Sequence, residues 1–263
     1  MSFLDSIFLG LVQGITEFLP ISSSGHLILA QRYLGIPIDG ASLSFAIFVN
    51  CATLLAVIIA LWGDIRRIVV DIFTEGPSMR SKKVLSAIFW GTIPAATMGF
   101  FFQSQISELF YNPRFVAYAL IAGSVLFFIA DRIPKEHNEP HGVTALKGLF
   151  IGIFQTFALI PGISRSGITT SGGLFFGLSR EEAIKFAFLL YIPISVGAGL
   201  KIIFDSVSPS FSYSDPTVWV GFFVAFLSGL ISVKFLIKFL SRNSFNVFIV
   251  YRLLLAGVIL YFF

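Results

Sequence analysis

The chain has 263 residues, of which 56% are hydrophobic and only 12% are charged. Soluble domains carry roughly 25% charged residues, so this composition excludes a water-exposed globular fold, a disordered chain and a coiled coil. The formal net charge of +4 is typical of basic cytoplasmic loops in a membrane protein, and we expect no nucleic-acid partner. The apolar stretches are long and continuous, which favours helices over the short alternating strands of a barrel.

Six apolar segments are long enough to cross a bilayer, which requires about 20 residues in a helix. They are residues 43–62, 84–103, 114–131, 183–203, 217–238 and 246–263. The sequence therefore predicts an all-α polytopic membrane protein with about six transmembrane helices. The whole chain, 1–263, is predicted to form a single integral membrane domain in contact with the lipid bilayer.

Two further apolar regions, 3–35 and 146–178, are interrupted by turns rich in proline, glycine and serine. The first break covers residues 19–26 and the second covers 160–167. Each half-segment is too short to span the membrane, so we predict two re-entrant helical hairpins. Irregular backbone at membrane depth is tolerated only when it is buried in protein or lines a wet cavity.

The two interrupted regions resemble each other at an offset of 142 residues. The matched positions are Gly10 and Gly152, Gln13 and Gln155, Ser22 and Ser164, and Ser24-Gly25 and Ser166-Gly167. We predict repeats of about 1–131 and 146–263, joined by a cytoplasmic loop over 132–145. Three crossings separate the copies and invert the second one, so both breaks are expected to meet in one pocket near the midplane.

The basic residues predict the orientation of these segments. Most of the 18 lysines and arginines fall on one side of the predicted membrane, which the positive-inside rule makes cytoplasmic. The first hairpin then enters from outside and the second enters from the cytoplasm.

Glu17, His26 and Arg165 lie in or beside the breaks, although a charge at membrane depth costs about 2.5–3.5 kcal/mol on insertion scales. Three such residues in two paired segments indicate function. Structural alternatives stay open for each: a neutral Glu17 or its ion pair with Arg165, a helix-capping histidine, or an arginine that holds exposed carbonyls.

The second break has the composition of a phosphate-binding turn. A small-residue turn that opens a helix presents free backbone N–H groups, and Arg165 offers a bidentate guanidinium. Ser164, Ser166 and Thr169 add hydroxyl donors. The alternative interpretation is a polar hinge in a transporter.

In the first break, the run Ser22-Ser23-Ser24 is either a helix cap or the source of a nucleophilic serine with His26 as its base. Gln13 and Glu17 are four residues apart and share one helix face. An amide and a carboxylate in this arrangement can bind a divalent cation or orient a nucleophile.

The chain resembles the undecaprenyl-diphosphate phosphatase family, also called the bacitracin-resistance family, over essentially its whole length. The first family motif runs from Gln13 to His26, and the second, Pro-Gly-x-Ser-Arg-Ser-x-x-Thr, is complete over 161–169. Gln13 stands where many members carry glutamate, and Asn50 stands where many carry glutamine. The resemblance implies hydrolysis of a polyprenyl diphosphate to its monophosphate and inorganic phosphate, which recycles a cell-wall lipid carrier and confers bacitracin resistance. It also implies Mg²⁺ or Ca²⁺ as a cofactor, and an active site in the plasma (inner) membrane that opens to the outer face.

The motifs predict a set of roles. Ser23 is the expected nucleophile, with His26 as its base or as an alternative nucleophile. Glu17, together with Gln13, is expected to hold the metal or to activate His26. Arg165 is expected to bind the diphosphate and to stabilise charge in the transition state. The other expected diphosphate ligands are Gln13, Ser22, Ser24, Ser164, Ser166 and Thr169. A secondary transporter or lipid flippase on the same frame is the alternative function, and the sequence leaves an oligomer open.

Overall fold

The computed structural model describes residues 1–37, 39–74, 76, 78–102, 112–133, 142–204 and 212–263. Within these ranges the regular structure consists of helices, with no strand. In chain order the α-helices are α1 (Phe3–Phe18), α2 (Ser23–Tyr33), α3 (Gly40–Ala60), α4 (Trp62–Ile72), α5 (Met79–Phe101), α6 (Pro113–Arg132), α7 (Ala145–Thr156), α8 (Arg165–Phe175), α9 (Arg180–Phe204), α10 (Pro216–Leu240) and α11 (Asn246–Phe262). A short 3₁₀-helix, Phe157–Leu159, follows α7.

Five helices in the described part of the chain, α3, α5, α6, α9 and α10, are long and apolar enough to cross a membrane. They confirm five of the six predicted spans as helices of the required length. The sixth, predicted over 246–263, is the apolar helix α11, whose 17 residues lie at the lower end of the length needed for a crossing.

The distribution of polar and apolar side chains is that of a protein embedded in a lipid bilayer. Large apolar side chains cover the outside of the helices, and Phe100, Ile231 and Leu254 are each about two-thirds exposed. Polar side chains occupy the interior, where Thr53 and Arg252 are fully buried. The protein is therefore a polytopic helical membrane protein.

Both predicted breaks are present, and each lies between two short helices. Leu19 and Ile160, the residues before Pro20 and Pro161, adopt extended conformations. Proline disfavours the helical conformation of the residue that precedes it, so α1 ends at Phe18 and the 3₁₀-helix after α7 ends at Leu159. Helix α1 packs against α2, and α7 packs against α8, which makes each interrupted region a helical hairpin.

Glycines allow each hairpin to pack closely against a long helix of the other half of the chain. Gly10 of α1 faces Gly221 of α10, and Gly152 of α7 faces Gly91 of α5; a Cβ at either hairpin glycine would collide with a backbone carbonyl. Small residues let membrane helices approach closely. Both hairpins therefore pack against a long helix through a pair of glycines. The inverted topology of the two repeats stays a prediction.

Helix α4 was not predicted from the sequence. None of its residues is buried, and it carries Trp62, Arg66 and Arg67 along the surface, a composition typical of an interfacial helix. The Ser78 hydroxyl and amide donate hydrogen bonds to Asp71 at 2.7 and 3.0 Å, and these bonds lower the pKa of the Asp71 carboxyl.

Of the predicted cytoplasmic loop 132–145, residues 134–141 lie outside the described residues.

Candidate active site between the two helix breaks

The two turns share an unusual backbone conformation. Ser22 has φ 75° and Ser164 has φ 79°, and they are the two non-glycine residues with positive φ in the described ranges. Such a conformation is costly for a residue with a Cβ and persists only where its surroundings enforce it. The two serines are 142 residues apart, which is the offset of the predicted repeat.

Each of these serines caps the helix that follows it. Ser22 Oγ accepts a hydrogen bond from Gly25 N at 3.5 Å, and Ser164 Oγ accepts one from Gly167 N at 3.4 Å. The capping interpretation of the serine run therefore holds for Ser22, while Ser23 does not cap the helix. The remaining amides at the starts of α2 and α8 form two anion-attracting helix ends.

The second turn needs glycine at position 162. Gly162 has φ 104°, a region that residues with a Cβ rarely adopt. An added Cβ would also lie 2.6 Å from the carbonyl oxygen of Val116. The close contact with α6 therefore fixes the position of the turn that carries Ser164 and Arg165.

Glu17 connects the end of α1 to the start of α2. Its Oε2 accepts a hydrogen bond of 2.6 Å from Ser23 Oγ and one of 2.9 Å from Gln13 Nε2. The carboxylate is 7% exposed, so the Ser23 hydroxyl has an adjacent proton acceptor shielded from water. A hydroxyl that donates to a carboxylate in this way can act as a nucleophile with that carboxylate as its general base.

The hydrogen bonds of His26 go to other groups. Its Nδ1–H donates to the carbonyl oxygen of Ser22 at 2.8 Å, and its Nε2 shares a 2.7 Å hydrogen bond with the Tyr251 hydroxyl of α11. His26 and Ser23 are three residues apart on α2, but the hydroxyl of Ser23 donates to Glu17 and not to the imidazole. The predicted catalytic role of His26 stays a prediction.

Arg165 opens helix α8 and is held by α9. Its Nη1 donates to Ser195 Oγ at 3.0 Å, and its guanidinium lies 5.0 Å from the centroid of the Tyr191 ring. The Tyr191 hydroxyl in turn donates to Asn50 Oδ1 of α3 at 3.3 Å. Within the described ranges Glu17 and Arg165 form no ion pair with each other, so the ion-pair alternative is not what holds these helices.

The two turns open into one cavity of about 520 Å³. Its polar lining comes from both breaks and from α3 and α9: Gln13, Glu17, Ser22, Ser23, Ser24, Asn50, Ser164, Arg165 and Ser195. Its apolar lining includes Leu27, Ile28, Ile47, Ala158, Ile160 and Ala198. The cavity is thus lined by charged, hydroxyl-bearing and apolar side chains.

Two predicted diphosphate ligands lie behind the cavity lining. Ser166 is buried, and its hydroxyl contacts Ser164 Oγ at 3.2 Å. Thr169 is 1% exposed, and its hydroxyl has no hydrogen-bond partner among the described residues. The structure therefore brings Ser164 and Arg165 into the cavity lining, while Ser166 and Thr169 are not part of it.

Ser195 and Tyr191 were missed by sequence reasoning. Both lie inside a long apolar segment, where a single polar residue carries little signal. Only the position of a polar side chain at membrane depth could have pointed to them. Asn50 was noted in the sequence as a departure from relatives, and the structure places it in the cavity lining.

Asp39 places a carboxylate at the edge of the cavity. It caps α3, and its Oδ1 accepts hydrogen bonds from Ser42 N at 2.9 Å and Ala41 N at 3.0 Å. The hydrogen bond from the Ser42 backbone is the main cause that lowers the pKa of Asp39. This group is therefore ionised at neutral pH.

The oxygen donors at the first break fit a hard divalent cation. Gln13 Oε1 is buried and without a hydrogen-bond partner in the described part of the chain, and it belongs to the same helix face as the Glu17 carboxylate. Mg²⁺ and Ca²⁺ prefer oxygen ligands of these kinds. No group of three or more histidine, cysteine, aspartate or glutamate side chains lies together among the described residues.

The fold and the site define a class: a polytopic helical membrane protein in which two broken-helix turns present a hydroxyl, a carboxylate and a guanidinium to one cavity. The family model described as "Bacitracin resistance protein BacA" matches residues 6–258 of the chain. The chain belongs to this family.

Proteins called undecaprenyl-diphosphatase are similar to the chain over nearly its whole length. The protein of Thermobifida fusca is 38% identical over 265 residues, which cover 99% of this chain and 90% of that protein. The protein of Elusimicrobium minutum is 38% identical, with 99% and 98% covered. The protein of Alteromonas mediterranea is 37% identical, with 100% and 99% covered. The resemblance identified from the two motifs is thereby confirmed.

Proposed function

We propose that the protein is a membrane phosphatase that hydrolyses undecaprenyl diphosphate, or a related polyprenyl diphosphate, to the monophosphate and inorganic phosphate. The names of its relatives support this reaction. The observation that carries it is the 2.6 Å hydrogen bond from Ser23 to Glu17, in a cavity that Arg165 also lines.

The diphosphate lies between the starts of α2 and α8. Arg165 and the free amides of the two turns neutralise its charge, and the Ser164 hydroxyl donates from the second turn. These donors are fixed before substrate arrives, so they stabilise the charge that develops in the transition state without reorganising.

Ser23 Oγ attacks the terminal phosphorus, and Glu17 takes the hydroxyl proton. The bond between that phosphorus and the bridging oxygen breaks, and polyprenyl monophosphate leaves. Water then attacks the phosphoserine with Glu17 again as the base, which releases inorganic phosphate and restores Ser23.

A bound Mg²⁺ or Ca²⁺ would supply Lewis-acid stabilisation of the phosphoryl oxygens. Glu17 and Gln13 Oε1 are the protein groups that would hold it. Both side chains are buried in the protein and line the cavity.

The polyprenyl tail lies along the apolar side of the cavity, against residues such as Leu27, Ile47 and Ala198. Because this lining continues directly from the polar end, one molecule can place its headgroup at Ser23 and its chain in hydrocarbon. We further propose that the protein resides in the plasma (inner) membrane with this cavity open to the outer face.

The test is release of inorganic phosphate from undecaprenyl diphosphate by purified protein in detergent, with Mg²⁺, with Ca²⁺ and with EDTA. Micelles have no two sides, so a flippase or transporter produces no such signal. We expect cation-dependent release that Ser23→Ala and Arg165→Ala abolish.

The matched control is Arg242→Ala, which removes an exposed arginine far along the chain from either break. We expect it to retain the rate of the unaltered protein. Absence of release by folded unaltered protein, or full activity of Ser23→Ala, would contradict the assignment.

A further inference from the structure

A buried arginine outside the catalytic motifs connects the two helix breaks. Arg252 of α11 is 0% exposed. Its Nη1 donates to the carbonyl oxygen of Pro20 at 3.3 Å, and its Nη2 donates to that of Gly162 at 3.0 Å. One guanidinium thus binds the first turn and the second turn at once.

The two bound carbonyls occupy corresponding places in the chain. Pro20 and Gly162 are 142 residues apart, the same offset that relates Ser22 to Ser164. A helix that ends early leaves carbonyls without their usual partner, and inside a membrane protein such groups must be satisfied by protein. Arg252 satisfies one from each break.

The remaining contacts of Arg252 attach it to α6. Its Nη2 also donates to the carbonyl oxygen of Leu120 at 3.0 Å, and its Nε donates to Ser124 Oγ at 2.9 Å. The guanidinium lies 4.7 Å from the centroid of the Phe127 ring. In the described part of the chain no carboxylate forms an ion pair with it, so backbone carbonyls, a hydroxyl and a ring are its partners.

We propose that Arg252 is a positioning residue that sets the distance between the nucleophile and the phosphate-binding arginine. Ser23 follows Pro20 by three residues, and Arg165 follows Gly162 by three. A change in the spacing of the two carbonyls therefore moves Ser23 relative to Arg165. The expected change in kcat rests on the proposed function. The expected change in the distance between the two turns does not.

Three variants of graded severity test the proposal. Arg252→Ala removes all the hydrogen bonds, and Arg252→Lys keeps the charge but cannot span both carbonyls. Gly123→Ala retains the arginine at position 252 but places a methyl group against its guanidinium. The matched control is Gly257→Ala on α11, where an added Cβ meets nothing within 4 Å.

The geometric measurement uses pairs of spin labels in a Cys51→Ser background, since Cys51 is the one cysteine of the chain. Labels at the exposed positions Ile15 and Phe157 report the separation of the two breaks, and labels at the exposed positions Leu85 and Leu227 report helices that Arg252 does not contact. We expect the three variants to broaden or shift the first distance distribution and to leave the second unchanged.

The kinetic measurement separates positioning from folding. Misplacement of reacting groups by about 1 Å can cost about 100-fold in rate, so we expect a fall of about that size in kcat for Arg252→Ala, with KM changed by less than about threefold. Arg252→Lys and Gly123→Ala are expected to show smaller falls, and Gly257→Ala none.

An unchanged Ile15–Phe157 distance would overturn the proposal, because it would show that Arg252 does not hold the two turns at a fixed spacing. Equal broadening of both label pairs would also overturn it, because it would show that Arg252 stabilises the whole fold and not the two turns. Unchanged kcat in folded Arg252→Lys and Gly123→Ala would overturn it as well. If the unaltered protein releases no phosphate, the proposed function fails, and the two distances alone decide whether Arg252 holds the breaks together.

Discussion

Ser23 Oγ and Glu17 Oε2 are joined by a hydrogen bond of 2.6 Å across the first helix break. The two residues belong to different helices, and the turn at Pro20 folds the second helix back so that they meet. The hydroxyl and its proton acceptor are therefore positioned by the backbone and not by a flexible side chain. This relationship leads to predictions about the chemistry and about the groups that surround it.

Glu17→Gln keeps the size of the side chain and removes its capacity to accept the Ser23 proton. Because general base catalysis contributes about 10²- to 10⁴-fold, we expect kcat to fall by a factor in that range. Steady-state phosphate release measures it, with thermal melting in detergent to show that the variant is folded. Glu181→Gln changes an exposed glutamate of α9 and is the control; a similar loss in both variants would show that the effect is not specific to the site.

Gln13→Glu introduces a second carboxylate beside Glu17. The amide that donates to Glu17 at 2.9 Å is lost, and two carboxylates so close together favour a shared divalent cation. We expect the concentration of Mg²⁺ or Ca²⁺ that gives half-maximal activity to fall. Gln155→Glu, the corresponding change in the other hairpin, is the comparison, and an equal response to both substitutions would refute a cation site at Gln13 and Glu17.

His26→Asn tests whether the histidine acts by its ring or by its hydrogen bond to the turn. An asparagine amide can replace the Nδ1–H that donates to the Ser22 carbonyl at 2.8 Å, but it cannot serve as a base. From this geometry we expect His26→Asn to retain a substantial part of the activity that His26→Ala loses. Equal inactivation of the two variants would instead support the catalytic role predicted from the sequence.

Ser195→Ala removes the hydroxyl that receives the hydrogen bond from Arg165 at 3.0 Å. A hydrogen bond to a charged group contributes about 1.5–3 kcal/mol, and loss at the lower end corresponds to about a tenfold decrease in kcat/KM. The measurement is phosphate release over a range of substrate concentrations. Ser241→Ala at the exposed end of α10 should leave kcat/KM unchanged, and a decrease of the same size there would argue against a specific anchor.

The sequence predicted those features that depend on local physics. Apolar length predicted six spans, of which five are helices of sufficient length. Helical structure stops before Leu19 and before Ile160, the residues that precede Pro20 and Pro161, as the steric rule requires. Helix α4 was missed because it has 11 residues, too few to cross a membrane, and its charged residues interrupt the apolar ones. The functional roles of the predicted site residues, the inverted repeat and the cation stay predictions.

Within the site, the sequence by itself determined which chemical groups are present: a serine-rich turn with Glu17, and an arginine-bearing turn with Ser164. Only the tertiary structure decided which of them meet. Ser23 pairs with Glu17 while His26 turns to Tyr251, and Arg165 is held by Ser195 from another helix. The physical reason is that spacing along one helix defines its faces, whereas contacts between helices distant in sequence depend on close packing at residues such as Gly10 and Gly162, which no local pattern encodes.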